Sequence, residues 1–197
     1  MVSFKAVVAA GLATLAAGES QGITPHDKYS SSVGVLGGKI NTNRVAYWPM
    51  SVDCNNICVR VSHAGRSVDL LRIDQSGGAY DISYGAYNFL VSGKSATENP
   101  ITGGAVNMDI SNVPADNCLQ HLKAGGLPLS ASNSMNFLSS CLGQANSWVA
   151  RNYRLFNIQD PTRNQPKCPH ALGSTNGRLP DTVFNIEYGT GKVVPAP

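Results

Sequence analysis

The chain has 197 residues, 42% hydrophobic and only 14% charged, with a net charge of +3. That length suffices for one well-cored domain, alone or with an extension. Lys and Arg nowhere cluster, which argues against a nucleic-acid binder, and no run is apolar for long enough to span a bilayer as a helix.

The first eighteen residues read as a cleavable export signal. Lys5 and the α-amine give a short positive region, Ala6 to Ala17 is uncharged, and Ala16-Ala17-Gly18 supplies small residues before polar Glu19. Cleavage near Gly18 is expected, so the mature protein is expected to be secreted and extracellular. The C-terminal Val193 to Pro197 offers no hydrophobic tail for a lipid anchor. Five cysteines, Cys54, Cys58, Cys118, Cys141 and Cys168, are disulfide candidates in an exported chain. Their number is odd, so one thiol is left over or pairs between chains, and the pairing stays open. A monomer is expected. No Asn-x-Ser/Thr acceptor occurs.

Residues 19–32 are polar and aperiodic and read as a flexible N-terminus. From Val33 short apolar runs alternate with turn residues, as in an all-β domain. Val33 to Leu36 is a weak strand, and Arg44 to Trp48 a better one, stopped by Pro49. Ile57 to Val61 and Val68 to Asp74 form a hairpin about the Gly65 turn. Ile82, Ala86, Phe89 and Leu90 share a helical face, with Asp81 or Ser83 as N-cap and Gly93 as stop. Gly103 to Ile110 alternates as a closing strand before Val113-Pro114. Met135, Leu138, Leu142, Ala145 and Val149 predict one helix over 134–148. Residues 157–181 read as irregular, and Thr182 to Tyr188 as a late strand.

Several residues carry chemistry. Asp74, ending a strand, and Asp81, at a helix start, are candidate catalytic carboxyls, although each also serves as an ordinary turn or cap residue. Tyr47, Trp48, Tyr80 and Tyr84 are candidate substrate-binding residues, since aromatic faces suit the C–H edges of sugar rings. His26, His63, His121 and His170 lack metal-ligand spacing, so no metal site is expected. No Gly-rich phosphate loop or Gly-x-Ser-x-Gly turn appears, and no cofactor is expected.

The order of these features carries a resemblance. The strand ending at Asp74, the Tyr80-Asp81-Ile82-Ser83 helix start, and the run from Gly103-Gly104 to Val113-Pro114 with Cys118 nearby resemble the double-psi β-barrel group of expansins, barwins and family 45 endoglucanases. The combination with the leader and low charge resembles fungal secreted proteins. The resemblance implies a mainly β fold: a six-stranded barrel over 33–118 with a short inserted helix. The C-terminal extension, 119–197, is then expected to hold one helix and a late strand packed on the barrel. It also implies a polysaccharide groove, with Asp81 as proton donor or polar contact and Asp74 nearby.

Tyr47-Trp48 resembles the Thr-x-Tyr-Trp-Asp strand of the endoglucanases, but Pro49 stands where their aspartate acts as base. Inverting hydrolysis needs an acid and a base about 6.5–9.5 Å apart. The expectation is therefore a non-enzymatic, expansin-like protein that binds or loosens cell-wall polysaccharide. Its partner would be extracellular polysaccharide or a host or cell-wall component, with no nucleic acid or membrane involved. A weak glycoside hydrolase with Asp81 as acid and Asp53 or Asp74 as base is one alternative. A secreted effector or elicitor using the barrel as scaffold is another, and a purely structural secreted protein is a third.

Overall fold

The computed structural model of the chain describes residues 18–131, 134–156 and 184–195. The expected leader up to Ala17, Cys168, His170 and the run at 157–181 expected to be irregular lie outside the described residues, as do Thr182 and Val183 of the expected late strand.

Six strands close on themselves. They are β1 (Glu19–His26), β2 (Val45–Trp48), β3 (Cys58–His63), β4 (Arg66–Gln75), β5 (Tyr80–Ser83) and β6 (Val106–Asn112). Their order around the barrel is β1-β5-β2-β4-β3-β6, and β6 returns to β1. The β1–β5 and β2–β4 pairs are parallel and the other four antiparallel. This closed, mixed six-stranded barrel is consistent with the double-psi type, and the fold is mainly β as the resemblance implied.

Side-chain alternation explains the barrel. Ile23, Ala46, Val59, Val61, Val68, Leu70, Ile82, Met108 and Ile110 turn inward and share one core with the buried face of α1 (Tyr84–Ser92). Gly93 ends α1 in the left-handed region at φ 75°, with its N–H on the Phe89 carbonyl.

The expected flexible N-terminus at 19–26 is instead β1. Its sequence, Glu-Ser-Gln-Gly-Ile-Thr-Pro-His, has little intrinsic strand preference, and only Ile23 is fully buried. Pairing supplies what propensity lacks. Residues 19–23 pair with β6 and residues 23–26 with β5, so Pro25 lies beyond the β6 ladder, where its missing N–H costs least. The weak strand at 33–36 reduces to one bridge, Val35 to Leu129. Asp81 does not cap the helix but sits within β5, held between β1 and β2. Ser83 occupies the N-cap position, yet its side chain makes no capping bond.

The C-terminal extension forms a second layer. β7 (Leu127–Ser130) and β8 (Tyr153–Phe156) pair in parallel, joined through α2 (Met135–Leu142) and α3 (Trp148–Asn152). The single helix expected over 134–148 is two, because Ser147 starts a new one: its hydroxyl accepts the Ala150 N–H at 3.3 Å. Met135 and Leu142 are consequently exposed, while Leu138 and Val149 are buried. The outer side of the barrel (Val45, Tyr47, Leu71, Ile73) and the extension (Leu127, Leu129, Leu138, Val149, Leu155) form one further core. The Cys54–Cys141 disulfide cross-links these layers, and Cys58–Cys118 ties β3 to the 3-10 turn at Ala115–His121. The late strand is β9 (Phe184–Ile186), paired with β10 (Val193–Pro195). This hairpin is pinned by Tyr188, whose hydroxyl accepts from the Gly103 N–H and donates to the Gly103 carbonyl. Gly191 lies so close to the Ala96 carbonyl that a Cβ would overlap it.

Candidate functional site

The four candidate aromatics divide between two places. In β2 and β5, alternation turns Trp48 and Tyr80 to the side of the inward-facing Ala46 and Ile82. Arg72 likewise follows Val68 and Leu70 along β4. These three side chains line an open cleft of about 440 Å³ with Met50, Ile110 and Ser111, and Glu19 and Asn112 complete it. Trp48 and Tyr80 meet edge to face at 5.4 Å between centroids, and the Arg72 guanidinium carbon lies 5.4 Å from the Trp48 centroid. Such stacking fixes the wall of the cleft.

Tyr47 and Tyr84 lie elsewhere, on a cavity of about 10 Å³, roughly one water in size. Ile186 of the C-terminal hairpin also lines it. Tyr84 is buried, donates to the Ile101 carbonyl at 2.7 Å and meets the Tyr188 ring at 5.2 Å. Tyr47 is 2% exposed and packs on the His26 ring at 4.2 Å. Burial raises its phenol pKa, and the Asp74, Asp81 and Asp27 charges add to this against an opposing hydrogen bond from the Ser30 backbone. Tyr47 is therefore a neutral phenol at physiological pH.

Asp74 and Asp81 flank Tyr47 on its two neighbouring strands. Two strand spacings put their Cα atoms roughly 9–10 Å apart. Their surroundings differ. Asp74 is buried and accepts from the Ser30 hydroxyl, from the Ser32 N–H at 2.7 Å and from the Gln75 N–H at 2.8 Å. It fastens the 30–32 segment to β4. Asp81 is half-buried, accepts from the Thr24 hydroxyl and stands 4.0 Å from His26 Nδ1. Neither carboxyl lines the Trp48 cleft. Asp53, the other candidate base, accepts the Asn55 and Asn56 N–H groups at 2.6 Å each.

The cleft contains residues that pattern reading passed over. Arg72 is 6% exposed, and its Nη2 donates to the Met50 and Ser51 carbonyls. Its Nε and the Trp48 Nε1 are buried without a hydrogen-bond partner among the described residues. Burial lowers the Arg72 pKa, and the Asp53 charge opposes that shift. The available signal was the alternation itself: an arginine at an inward position between Leu70 and the strand end is costly unless paired.

No family model matches the chain, and no curated protein does. Among solved structures the chain is similar to the crystal structure of cerato-platanin 3 from M. perniciosa, at 10% identity and a TM-score of 0.38. That match covers 51% of this chain and 98% of the other. The fold assignment rests on the strand order itself.

Proposed function

We propose that this is a secreted protein that holds extracellular polysaccharide without hydrolysing it efficiently. One observation carries the reading: the open cleft walled by the Trp48–Tyr80 pair. A fixed aromatic wall with polar neighbours suits a sugar ring, whose C–H face stacks while its hydroxyls find partners. The carboxyls support binding over hydrolysis. Asp74 is saturated by three donors, Asp53 is tied into its own turn, and Pro49 follows Trp48 where a base would stand. Asp81 keeps partial exposure, but one acid cannot both protonate a leaving group and activate water in an inverting reaction. Two intramolecular disulfides fit an oxidising compartment, in line with the leader at residues 1–18.

The test pairs binding with turnover. The secreted protein is titrated with soluble glycans while sugar release from cellulose, xyloglucan and chitin is followed. Binding without release is expected, with affinity reduced in Tyr80→Ala. Rapid release that Asp81→Asn abolishes would overturn the non-catalytic reading.

A second reading has its own observation. Tyr47 and Tyr84 are buried, while Met135 and Leu142 of α2 are 44% and 46% exposed. This favours a scaffold that meets a partner protein, as an effector or elicitor would. Glycan binding lost in Tyr80→Ala decides against it.

A further inference from the structure

The polar atoms left over in the Trp48 cleft all have the same sense. Trp48 Nε1 and Arg72 Nε are both donors, both buried, and both without a partner among the described residues. They belong to one cluster, because the guanidinium lies over the indole. No acceptor of the cleft is orphaned in this way. What the cluster lacks is therefore an acceptor.

Its charge points the same way. Arg72 is almost fully buried, yet among the described residues no carboxylate forms an ion pair with it; its named partners are two backbone carbonyls. The described ion pairs lie elsewhere, at His26–Asp81 and Arg60–Asp69. Asp53 influences Arg72 through space, but its Oδ1 is occupied by two backbone N–H groups. A buried cation without an anion is destabilising, and an incoming carboxylate would recover part of that cost. Glu19, the acid that lines the cleft, is solvent-exposed and holds the Gln21 amide. Water screens its charge far more than it screens that of Arg72.

We propose that the cleft selects an acidic sugar: a uronate ring stacked against Trp48 and Tyr80, with its carboxylate directed to Arg72 and the Trp48 indole N–H. This rests on the saccharide-binding reading and narrows it to acidic polysaccharides. A neutral hexose supplies the stacking face but no anion, whereas a uronate supplies both. The excess positive charge of the whole chain acts in the same direction at long range.

The experiment compares ligands that share a backbone. Oligogalacturonate, the same oligomer fully methyl-esterified, and cellohexaose are titrated into the secreted protein by calorimetry. Tryptophan fluorescence is followed in parallel in a Trp148→Phe background, so that Trp48 alone reports. Acid favoured over ester by about tenfold or more, with the preference weakened by salt and abolished in Arg72→Gln, is the expected result. Equal affinity for acid and ester overturns the acidic specificity and leaves saccharide binding intact. Failure to bind any of the three, or the neutral polymers above, removes both. Should Arg72→Gln fail to fold, the acid-to-ester ratio of the unsubstituted protein decides alone.

Discussion

Two serines stand at the same kind of position and should answer substitution with opposite signs. Ser83 precedes α1 and Ser147 precedes α3. The general rule makes each a helix cap worth about 0.5–2 kcal/mol over alanine. Ser147 follows the rule: its hydroxyl accepts from the Ala150 N–H at 3.3 Å and donates to the Cys141 carbonyl at 3.1 Å. Ser83 does not. It is 5% exposed, makes no capping bond, and its Oγ is buried without a partner among the described residues. An unpaired buried hydroxyl costs about 1–3 kcal/mol. Ser83→Ala removes that cost and forfeits no bond, so it should stabilise the protein by about 1–2 kcal/mol, or roughly 3–6 °C in melting temperature for a chain of this size. Ser147→Ala should destabilise by about 1–2 kcal/mol, since it loses a cap and one bond to the Cys141 carbonyl, which keeps the Gln144 N–H. Urea unfolding followed by circular dichroism measures both. A Ser83→Ala protein less stable than its parent by about 0.5 kcal/mol or more would refute the reasoning, because it would mean that the hydroxyl caps α1 in solution.

The Cys54–Cys141 disulfide spans 87 residues, but the nested Cys58–Cys118 bridge shortens the path it closes in the unfolded chain to about 27, so the double variant to alanine should lose about 3.5 kcal/mol by the loop-entropy relation. A calorimetric loss below about 1 kcal/mol would show that the unfolded chain is already constrained there. His121 is held below its ordinary pKa of 6.5, chiefly by burial and secondarily by Arg44, against opposition from Asp69. The unfolded chain therefore takes up a proton that the folded chain refuses. The contribution of His121 is complete above pH 6.5 and is lost as pH falls from 6.5 towards the lowered folded value. In His121→Gln the loss of stability between pH 7.5 and pH 5.5 should be smaller than in the parent, and an equal loss at both would contradict the assignment.

The sequence discloses what is local. The β3–β4 hairpin and the Gly93 stop rest on a few adjacent residues, and both stand in the structure where pattern and turn chemistry put them. What it conceals is made by distant partners. β1 is a strand because β5 and β6 flank it, and nothing within Glu19–His26 announces that. Asp81 resembles a cap because it precedes a helix, but it pairs with Thr24 and Tyr47 within β5, two residues before the N-cap position at Ser83. The candidate site divides in the same way. Alternation places Trp48, Tyr80 and Arg72 in one row system, whereas Asp74 and Asp81 owe their separate surroundings to the 30–32 segment and to β1. No spacing rule within one segment could have separated the two carboxyls from the aromatic cleft.

The way β1 closes the barrel has a consequence for how the chain reaches its native state. Glu19 pairs with Ile110, 91 residues downstream by their numbering, so of the six barrel strands β1 waits longest for its partner. Pairings this distant make folding slow relative to that of local hairpins, and an early strand awaiting its partner risks pairing with the wrong chain. Gly22 and Pro25, with Glu19 and His26 at the two ends, give that waiting segment little tendency towards self-association. Substituting Val at Gly22 and Pro25 would make β1 easier to recognise as a strand while raising the fraction of newly made protein that aggregates before the barrel can shut.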